Sequence, residues 1–247
     1  MDQNDYWKIR AKQYDQLKWV QKKSLLNNLI TFCDFNSQDI VMDAGCGTGV
    51  VAKAIADKVL KVAAMDNSED MLSQLELDNP KIIPICADLQ KPMYEFNDNF
   101  DKIVSRMVFH HIDNLEAGFH NCYNMLKEGG SFIIQEGIPP SETPEVVSWY
   151  SHVMAMKEKR HTFTESELKI RYFVGEFQNI ETKIIEDKGF SVLNWLRMSG
   201  QENSVLKKIY LAHKNAPESI KKAYGLKIKE DGDILINTKV LLIKGQK

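Results

Sequence analysis

The sequence predicts an α/β fold with a doubly wound, mostly parallel sheet. Short apolar runs typical of buried strands alternate with segments of helical spacing between residues 39 and 137. This order requires parallel strands joined by right-handed crossovers. A glycine-rich turn at 45–49 separates the first strand from the helix after it. Polar or glycine residues follow five strands, so we expect them to meet at the edge of the sheet where ligands bind.

The first part of the chain begins with a long helix and then alternates. Residues 5–33 carry large side chains at three- and four-residue steps without Gly or Pro, which predicts a helix. "DIVMDA" (39–44) is an apolar run bounded by glycines and predicts a buried strand, whereas "VVAKAIADKV" (50–59) has helical spacing. "KVAAMD" (61–66) predicts the second strand.

A second helix and strand follow. "SEDMLSQLEL" (68–77) predicts a helix, because Ser68 is a good N-cap and acidic residues fill the first turn. "KIIPICAD" (81–88) predicts the third strand. Pro84 lacks an N–H donor, so this strand is expected at an edge of the sheet.

Two more strands enclose one more helix. "FDKIVSRMVF" (100–109) and "SFIIQEG" (131–137) are apolar enough to be buried strands. "NLEAGFHNCYNML" (114–126) has helical spacing, and Gly129-Gly130 is expected to stop it.

The pattern changes after Pro139-Pro140. Helices and strands are still expected, but a long segment between the last two strands is too long for a turn and predicts a helical lid. These elements are helices at 142–159 and 162–173, strands at 178–188 and 233–245, and the lid at 189–230, with two helices broken near Pro217.

Composition and charge exclude several kinds of protein. The 247 residues carry a net charge of −2, so the chain as a whole is a poor binder of nucleic acids. Residues 1–140 hold 14 basic and 20 acidic residues, and residues 141–247 hold 18 and 14. Scattered surface charge is the simpler interpretation of this difference, and an anionic ligand near the C-terminal part is the alternative.

Four cysteines without a CxxC pair fit reduced thiols. We expect a cytoplasmic protein without signal peptide or membrane span.

The glycine-rich turn lies in "VMDAGCGTGV" (41–50), and its spacing separates three classes of cofactor. A P-loop would need Lys and then Ser or Thr after the last glycine, and neither follows Gly49. A dinucleotide fingerprint would need G-x-G-x-x-G, but Val50 stands at the position of its third glycine. Asp43 is unfavourable beside a pyrophosphate and favourable beside a cation. The turn therefore favours a positively charged cofactor without phosphate.

The stretch "VMDAGCGTGVVAKAIA" resembles the first motif of class I S-adenosylmethionine-dependent methyltransferases, of the small-molecule, ubiquinone/menaquinone-methyltransferase-like type. An acidic strand end 23 residues after Asp43 and a further aspartate in "ICADL" follow in the family's order. The resemblance implies a Rossmann-like seven-stranded sheet of order 3-2-1-4-5-7-6 with strand 7 antiparallel. It implies S-adenosylmethionine as methyl donor and S-adenosylhomocysteine as product. We expect one methyltransferase domain over 1–247, with an N-terminal helical cap (1–38), a cofactor-binding core (39–140) and a substrate-side region with the lid (141–247).

The resemblance also implies roles for residues at the strand ends. Gly45 and Gly47 allow the backbone to approach the methionine part of the cofactor, and Asp43 supplies negative charge near its ammonium. Asp66 can accept hydrogen bonds from both ribose hydroxyls, and Asp88 matches the position that bonds the adenine amino group. Capping of a helix or turn is the alternative role for both aspartates. The predicted cofactor contacts are Arg10, Tyr14, Asp43, Gly45, Cys46, Gly47, Thr48, Gly49, Asp66, Asn67, Met71, Ala87, Asp88, Leu89 and Arg106.

The catalytic residues are predicted from "VFHHID" (108–113), after the fourth strand. Methyl transfer is a direct displacement that needs a base only if the acceptor must lose a proton, and histidine can serve near neutral pH. Neighbouring side chains on a strand end point apart, so at most one histidine is expected to face the methyl group. His111 is the preferred base and His110 the second candidate, with a structural role for both as the equal alternative. No metal is expected, and a ligand set that adds Asp113 is less favoured.

The acceptor is expected to be a small molecule. "SRMVF" stands where methyltransferases of adenine amino groups carry their motif, and no basic, aromatic-interleaved patch indicates a nucleic-acid groove. Arg160 would suit an anionic group on the acceptor. The predicted substrate contacts are Tyr6, Glu136, Trp149, Arg160 and Trp195. The alternatives are an RNA or protein acceptor, and a non-enzymatic regulatory module that binds S-adenosylmethionine.

Overall fold

The computed structural model describes residue 20 and residues 22–76, 78–197 and 199–247. Over these residues, an eight-stranded sheet is flanked by helices. The strands are β1 (Ile40–Ala44), β2 (Lys61–Asp66), β3 (Ile82–Cys86), β4 (Phe100–Arg106), β5 (Leu126–Ile138), β6 (Gln178–Ser191), β7 (Lys227–Ile228) and β8 (Ile234–Gln246). The α-helices are α1 (Lys23–Cys33), α2 (Val50–Ile55), α3 (Glu69–Leu72), α4 (Leu115–Met125), α5 (Pro144–Lys157), α6 (Glu165–Val174), α7 (Val192–Arg197), α8 (Asn203–Lys214) and α9 (Glu218–Ala223). Short 3-10 turns lie at Ala56–Lys58, Tyr94–Phe96 and Phe109–His111.

The strands run in the order β3-β2-β1-β4-β5-β8-β6, and the two-residue β7 pairs with β8. β1 to β5 pair in parallel, whereas β8 runs antiparallel between β5 and β6. The predicted order is confirmed, with β8 as the predicted seventh strand, and Pro84 lies in the edge strand β3 as expected. β2 and β3 are added on one side of β1, and β4 and β5 are added on its other side. The position between β1 and β4 is therefore the switch point at which doubly wound sheets bind ligands.

The ends of two elements around β4 and β5 differ from the prediction. β4 ends at Arg106 rather than at residue 109, because Met107 has a φ of 58° and leaves the extended conformation. α4 ends at Met125, before the glycine pair that was expected to stop it. Leu126 is already extended, with φ −75° and ψ 143°, and begins β5.

Helix ends elsewhere follow local capping chemistry. Ser68 caps α3 as predicted, its hydroxyl oxygen accepting from Met71 N at 3.3 Å, but the helix is four residues long rather than ten. Thr164 and Glu167 form a reciprocal capping box at the start of α6, in the segment predicted as helical. Of the long N-terminal helix predicted over 5–33, the described helical part is α1. The prediction was wrong at Val20 and Lys22, because Val20 lies in a turn and Lys22 is extended, with φ −69° and ψ 94°, so α1 begins only at Lys23.

The sheet carries an apolar core on each face, since successive strand residues point to opposite sides. Val41 and Leu242 belong to the cluster that α1 and α2 cover. Met42 and Leu241 belong to the opposite cluster, which α4 and α6 cover. Both layers of helix expected for a doubly wound sheet are therefore present.

A third apolar cluster lies beyond the carboxyl end of the sheet. The predicted helical lid consists of α7, α8 and α9, and it packs with α5 and the start of β8. Val153, Ile209 and Ile220 are among its fully buried members. This cluster forms a roof above the strand ends. Over the described residues, no helix has the length and apolar character needed to cross a bilayer.

Candidate active site

The turn after β1 is held in place by β2. The backbone N–H groups of Gly45 and Cys46 both donate to Met65 O at 2.8 Å. Gly45, Gly47 and Gly49 have φ angles of 75°, 55° and 81°, a region that side-chain-bearing residues rarely adopt. The backbone of this turn therefore requires glycine at all three positions, independently of any ligand.

Two of these glycines are also enclosed by neighbouring side chains. A Cβ at Gly45 would lie 2.5 Å from both methyl groups of Val108, and one at Gly49 would lie 2.0 Å from Leu75 Cδ1. At Gly47 the nearest atom is the flexible end of Met71, at 3.2 Å. The sequence explained Gly45 only by the close approach of the cofactor to the backbone. The structure adds a second reason for glycine at this position, because a side chain would overlap with Val108.

Asp43 lies beneath the turn and is 1% exposed. Its Oδ2 accepts a hydrogen bond from Ala52 N at 2.9 Å. Burial raises the pKa of Asp43 to about 7, while the hydrogen bond from Ala52 opposes the shift. A cation bound nearby would favour the carboxylate form of this group.

Asp66, at the end of β2, organises the turn with both carboxylate oxygens. Oδ2 accepts from Gly47 N at 2.8 Å, and Oδ1 accepts from Ser68 N at 2.9 Å. Burial raises the pKa of Asp66, and these backbone hydrogen bonds oppose the shift. Each oxygen keeps further lone-pair capacity for a ligand. Asp66 can therefore accept these backbone hydrogen bonds, as the capping alternative requires, and still bind a ligand.

A first cavity opens at the carboxyl ends of β1 to β4, where the sequence placed the cofactor. Its lining contains twelve of the predicted residues: Asp43, Gly45, Cys46, Gly47, Asp66, Asn67, Met71, Ala87, Asp88, Leu89, Arg106 and His111. Thr48 and Gly49 belong to the turn but are not among the lining residues. The lining also includes residues that were not predicted: Val20, Val50, Val51, Met65, Gln90, Met107, Val108 and Ile112.

Two polar side chains in this cavity are fixed by hydrogen bonds. Arg106 is buried, and it donates from Nε to Gln135 Oε1 at 2.9 Å and from a terminal nitrogen to Val20 O at 3.3 Å. Asp88 Oδ1 accepts from the backbone and side-chain nitrogens of Gln90, at 3.0 and 3.1 Å. The cavity therefore presents pre-positioned charges of both signs.

The two histidines lie side by side on the 3-10 turn Phe109–His111 rather than on a strand. Their ring centroids are 4.0 Å apart. The expectation that the side chains point apart was wrong, because strand alternation ends with β4 at Arg106. His111 lines the first cavity, and both histidines line a second one.

Glu136 lies behind His110 and is fully buried. Its Oε2 is 2.7 Å from His110 Nδ1, and its Oε1 accepts from His110 N at 3.3 Å. Burial raises the pKa of Glu136 to about 7. Glu136 is not among the described residues that line either cavity, so its predicted contact with the acceptor is corrected to an orienting contact with His110.

His111 is enclosed by charged and titratable neighbours. Burial lowers the pKa of His111 well below its usual value, and the neighbouring His110, Arg160 and Lys157 lower it further, while Glu158 opposes them. A histidine with this pKa is neutral at physiological pH. It is therefore in the form that can accept a proton.

The second cavity lies beneath the roof formed by α5 and the lid helices. Met107 and His111 line it as well as the first cavity, so the two cavities adjoin at these residues. Trp149, Arg160 and Trp195, which were predicted as substrate contacts, are all in its wall. Other members include Tyr150, Val153, Phe190, His213, Tyr224 and Ile236. The predicted contacts Tyr6, Arg10 and Tyr14 lie outside the described residues.

Most of the charged side chains in this wall form ion pairs. Glu158 accepts from Lys157 Nζ at 2.9 Å and from Arg160 at 3.2 Å, and all three side chains are nearly buried. Asp187, also in the wall, forms an ion pair with Lys22. One carboxylate thus faces two cations, so the group as a whole keeps positive charge beside Arg160, the residue that suggested an anionic acceptor.

One cluster has the spacing of a metal site. Ligand atoms of His110, His111 and Glu158 lie within 4.8 Å of one another. Glu158 already carries two cationic partners, which disfavours a further cation. Asp113, the third ligand weighed from the sequence, is exposed and pairs with Lys159 at 2.9 Å. The expectation of no bound metal stays a prediction.

Residues 42–134 match a family model described as a methyltransferase domain. Among curated proteins, the chain is 30% identical over 163 residues to a malonyl-[acyl-carrier protein] O-methyltransferase of Priestia megaterium. That match covers 63% of this chain and 57% of the relative. The chain thus spans little more than half the length of this curated relative.

Solved structures share the fold. A candidate methyltransferase of Bacillus halodurans superposes with a TM-score of 0.83 at 19% identity, covering 91% of this chain and 99% of that one. A phosphoethanolamine N-methyltransferase of Haemonchus contortus, solved with phosphomonomethylethanolamine and S-adenosylhomocysteine, gives 0.65 at 16% identity, covering 97% of this chain and 56% of that one.

Proposed function

We propose that this chain, which carries a class I S-adenosylmethionine-dependent methyltransferase domain, transfers a methyl group from S-adenosylmethionine to a small-molecule acceptor held in the second cavity. The observation that carries the proposal is the adjacency of the two cavities at Met107 and His111. A methyl donor on one side and a nucleophile on the other could meet there directly. Holding both reactants in line is the main contribution that a protein makes to such a displacement.

The residues of the first cavity fit this cofactor. The buried carboxylate of Asp43 suits a cation, Asp66 and Asp88 offer acceptors to hydroxyl and amino groups, and Met71 and Leu89 offer apolar surface to a ring. When bound, S-adenosylmethionine supplies a methyl group on a positively charged sulfur that is a good leaving group. Arg106 adds a fixed positive charge that suits a carboxylate.

The residues between the cavities orient the acceptor and accept its proton. We assign the proton-accepting role to His111, because its side chain lines both cavities and so lies where donor and acceptor would meet. His110, held by Glu136, packs against that ring and restricts it. Trp149, Val153 and Trp195 add apolar surface to the second cavity, on which an acceptor can pack.

A small acceptor suits the second cavity. An anionic group on it stays part of the proposal, because the single carboxylate of Glu158 faces both Lys157 and Arg160, and Lys239 adds a further positive charge to the wall. We keep the division into cap (1–38), core (39–140) and substrate-side region (141–247) as part of the proposal, together with a cytoplasmic location.

The decisive experiment is calorimetric titration with S-adenosylhomocysteine and, separately, with NADH. We expect binding of the first and none of the second. Binding of NADH alone would overturn the proposal. A methyl-transfer screen against metabolite pools with labelled S-adenosylmethionine would then identify the acceptor, and a protein that binds the cofactor but never transfers methyl would favour the regulatory-module alternative.

Asp66→Ala is expected to weaken S-adenosylhomocysteine binding about 10- to 100-fold or more, because charge-assisted hydrogen bonds are lost and the turn loses two anchors. Isothermal titration calorimetry measures the effect. The matched control is Asp70→Ala, which removes the same charge from an exposed position on the next helix. Equal affinities in the two variants would remove Asp66 from the cofactor site.

A further inference from the structure

Tyr224, a residue of the second cavity wall, has a buried hydroxyl group that forms no hydrogen bond with the described residues. Among the described residues, its Oη is the one buried side-chain nitrogen or oxygen without a hydrogen-bond partner. The residue is 3% exposed, and it is one of the residues that line the second cavity. A buried hydroxyl without a partner destabilises the folded state, because it has lost its hydrogen bonds to water.

The surroundings of Tyr224 make its ring position well defined. Asn237 N donates to Tyr224 O at 2.7 Å, which ties the end of α9 to β8. The ring meets Trp149 edge-on, with centroids 4.9 Å apart. Burial raises the pKa of Tyr224 well above its usual value, and the neighbouring Tyr150 adds to the shift, so the hydroxyl stays protonated and able to donate. Tyr150 itself donates to Gly137 O at 3.1 Å.

The wall around this hydroxyl is largely aromatic. Trp149, Trp195 and Phe190 line the same cavity, with Phe190 and Trp195 6.1 Å apart and tilted at 60°. Flat aromatic walls favour ring-bearing ligands, because they bury large area in offset or edge contacts. A phenylalanine at position 224 would complete such a wall without the cost of an unbonded hydroxyl. The tyrosine hydroxyl is therefore best explained by a ligand group that bonds it.

We propose that Tyr224 forms a polar subsite of the acceptor cavity, which recognises a hydroxyl or carbonyl group on a ring-bearing acceptor at a point other than the methylated atom. This inference rests on the proposed function in one respect, that the ligand of the second cavity is the methyl acceptor. Binding of a ligand at the subsite does not itself require catalysis. His111 would meet the nucleophile at one side of the ring, and Tyr224 would bind the second polar group.

The first test measures thermal unfolding without any ligand. Tyr224→Phe is expected to raise the melting temperature by about 2–4 °C, since it removes a buried polar group that no described residue satisfies. The matched control is Tyr210→Phe, because the Tyr210 hydroxyl donates to Gly232 O at 2.9 Å within the same helical region. The control should lower the melting temperature. A decrease in Tyr224→Phe as well would overturn the inference, because the hydroxyl would then have a structural partner.

The second test measures ligand preference by calorimetry in the presence of S-adenosylhomocysteine. The probes are 1-naphthol and naphthalene-1,5-diol, which differ by one distal hydroxyl. The protein should bind the diol about tenfold more tightly, and Tyr224→Phe should abolish that preference while leaving 1-naphthol binding unchanged. A preference that survives in the variant, or the absence of any preference in the parent protein, contradicts the subsite. Failure of S-adenosylhomocysteine to bind would instead count against the proposed function, and the thermal test would still decide the subsite.

Discussion

His111→Ala is expected to lower kcat about 100-fold or more while the affinity for S-adenosylhomocysteine changes by no more than about threefold. General-base catalysis contributes at least this factor when the nucleophile must lose a proton in the transition state. The cofactor cavity keeps its charged anchors in the variant, since Asp43, Asp66 and Arg106 lie on other elements. Steady-state kinetics with the acceptor found in the methyl-transfer screen, and calorimetry with S-adenosylhomocysteine, measure the two quantities separately.

A comparison of the pH profiles of activity of the parent protein and of His111→Ala provides an independent check on the role of His111. The pKa of His111 is lowered, so the neutral, proton-accepting form predominates above that pKa, and activity should fall as the pH drops through it. Burial is the main cause of the lowered pKa, and the charged or titratable neighbours that act on it are His110, Glu158, Arg160 and Lys157. His111→Ala should abolish this acidic limb of the profile.

The control for these experiments is His152→Ala, at an exposed position of α5 that belongs to neither cavity wall. It should leave kcat and its pH profile unchanged. If His111→Ala retained full activity, the nucleophile would not need a base, as for an acceptor oxygen that is already ionised. The histidine pair would then be structural, which the sequence left as an equal alternative.

The cofactor side of the site could be predicted from the sequence because it depends on local rules. Each of the residues Asp43, Asp66 and Asp88 stands at or just past the carboxyl end of a strand, and the order of strands brings those ends together. Neither step requires knowledge of side-chain packing. Eleven predicted cofactor contacts consequently line one cavity.

The acceptor side of the site could be predicted less well, because it depends on contacts between segments that are distant in the sequence. Glu158 reaches the histidine turn from the end of α5, and Tyr224 reaches the same cavity from α9, more than a hundred residues after that turn. No spacing rule connects such positions. Glu136 was misassigned for a related reason, since its burial behind His110 follows from how the turn packs on β5. The arrangement of the two histidines depended on the positive φ of Met107, which hydrophobic periodicity does not reveal.

Gly45→Ala is expected to destabilise the protein by about 2–5 kcal/mol and to weaken S-adenosylhomocysteine binding at least about tenfold. A positive φ costs an alanine about 1–2 kcal/mol, and overpacking adds about 1–3 kcal/mol. The added Cβ would meet both methyl groups of Val108 at 2.5 Å. Val108 lines the first cavity, so its displacement alters the cofactor site as well as the fold. Urea unfolding gives the stability change, and calorimetry gives the affinity.

Gly129→Ala separates the two contributions. Gly129 has a φ of 74°, almost the same as the 75° of Gly45, but no heavy atom lies within 4 Å of its added Cβ. This variant should therefore lose only the backbone contribution of about 1–2 kcal/mol and keep its cofactor affinity. The double variant Gly45→Ala/Val108→Ala should recover about 1 kcal/mol relative to the sum of its single changes, because the clash is removed. If Gly45→Ala cost no more than Gly129→Ala, the contact with Val108 would not constrain the turn, and the glycine would serve the backbone and the cofactor alone.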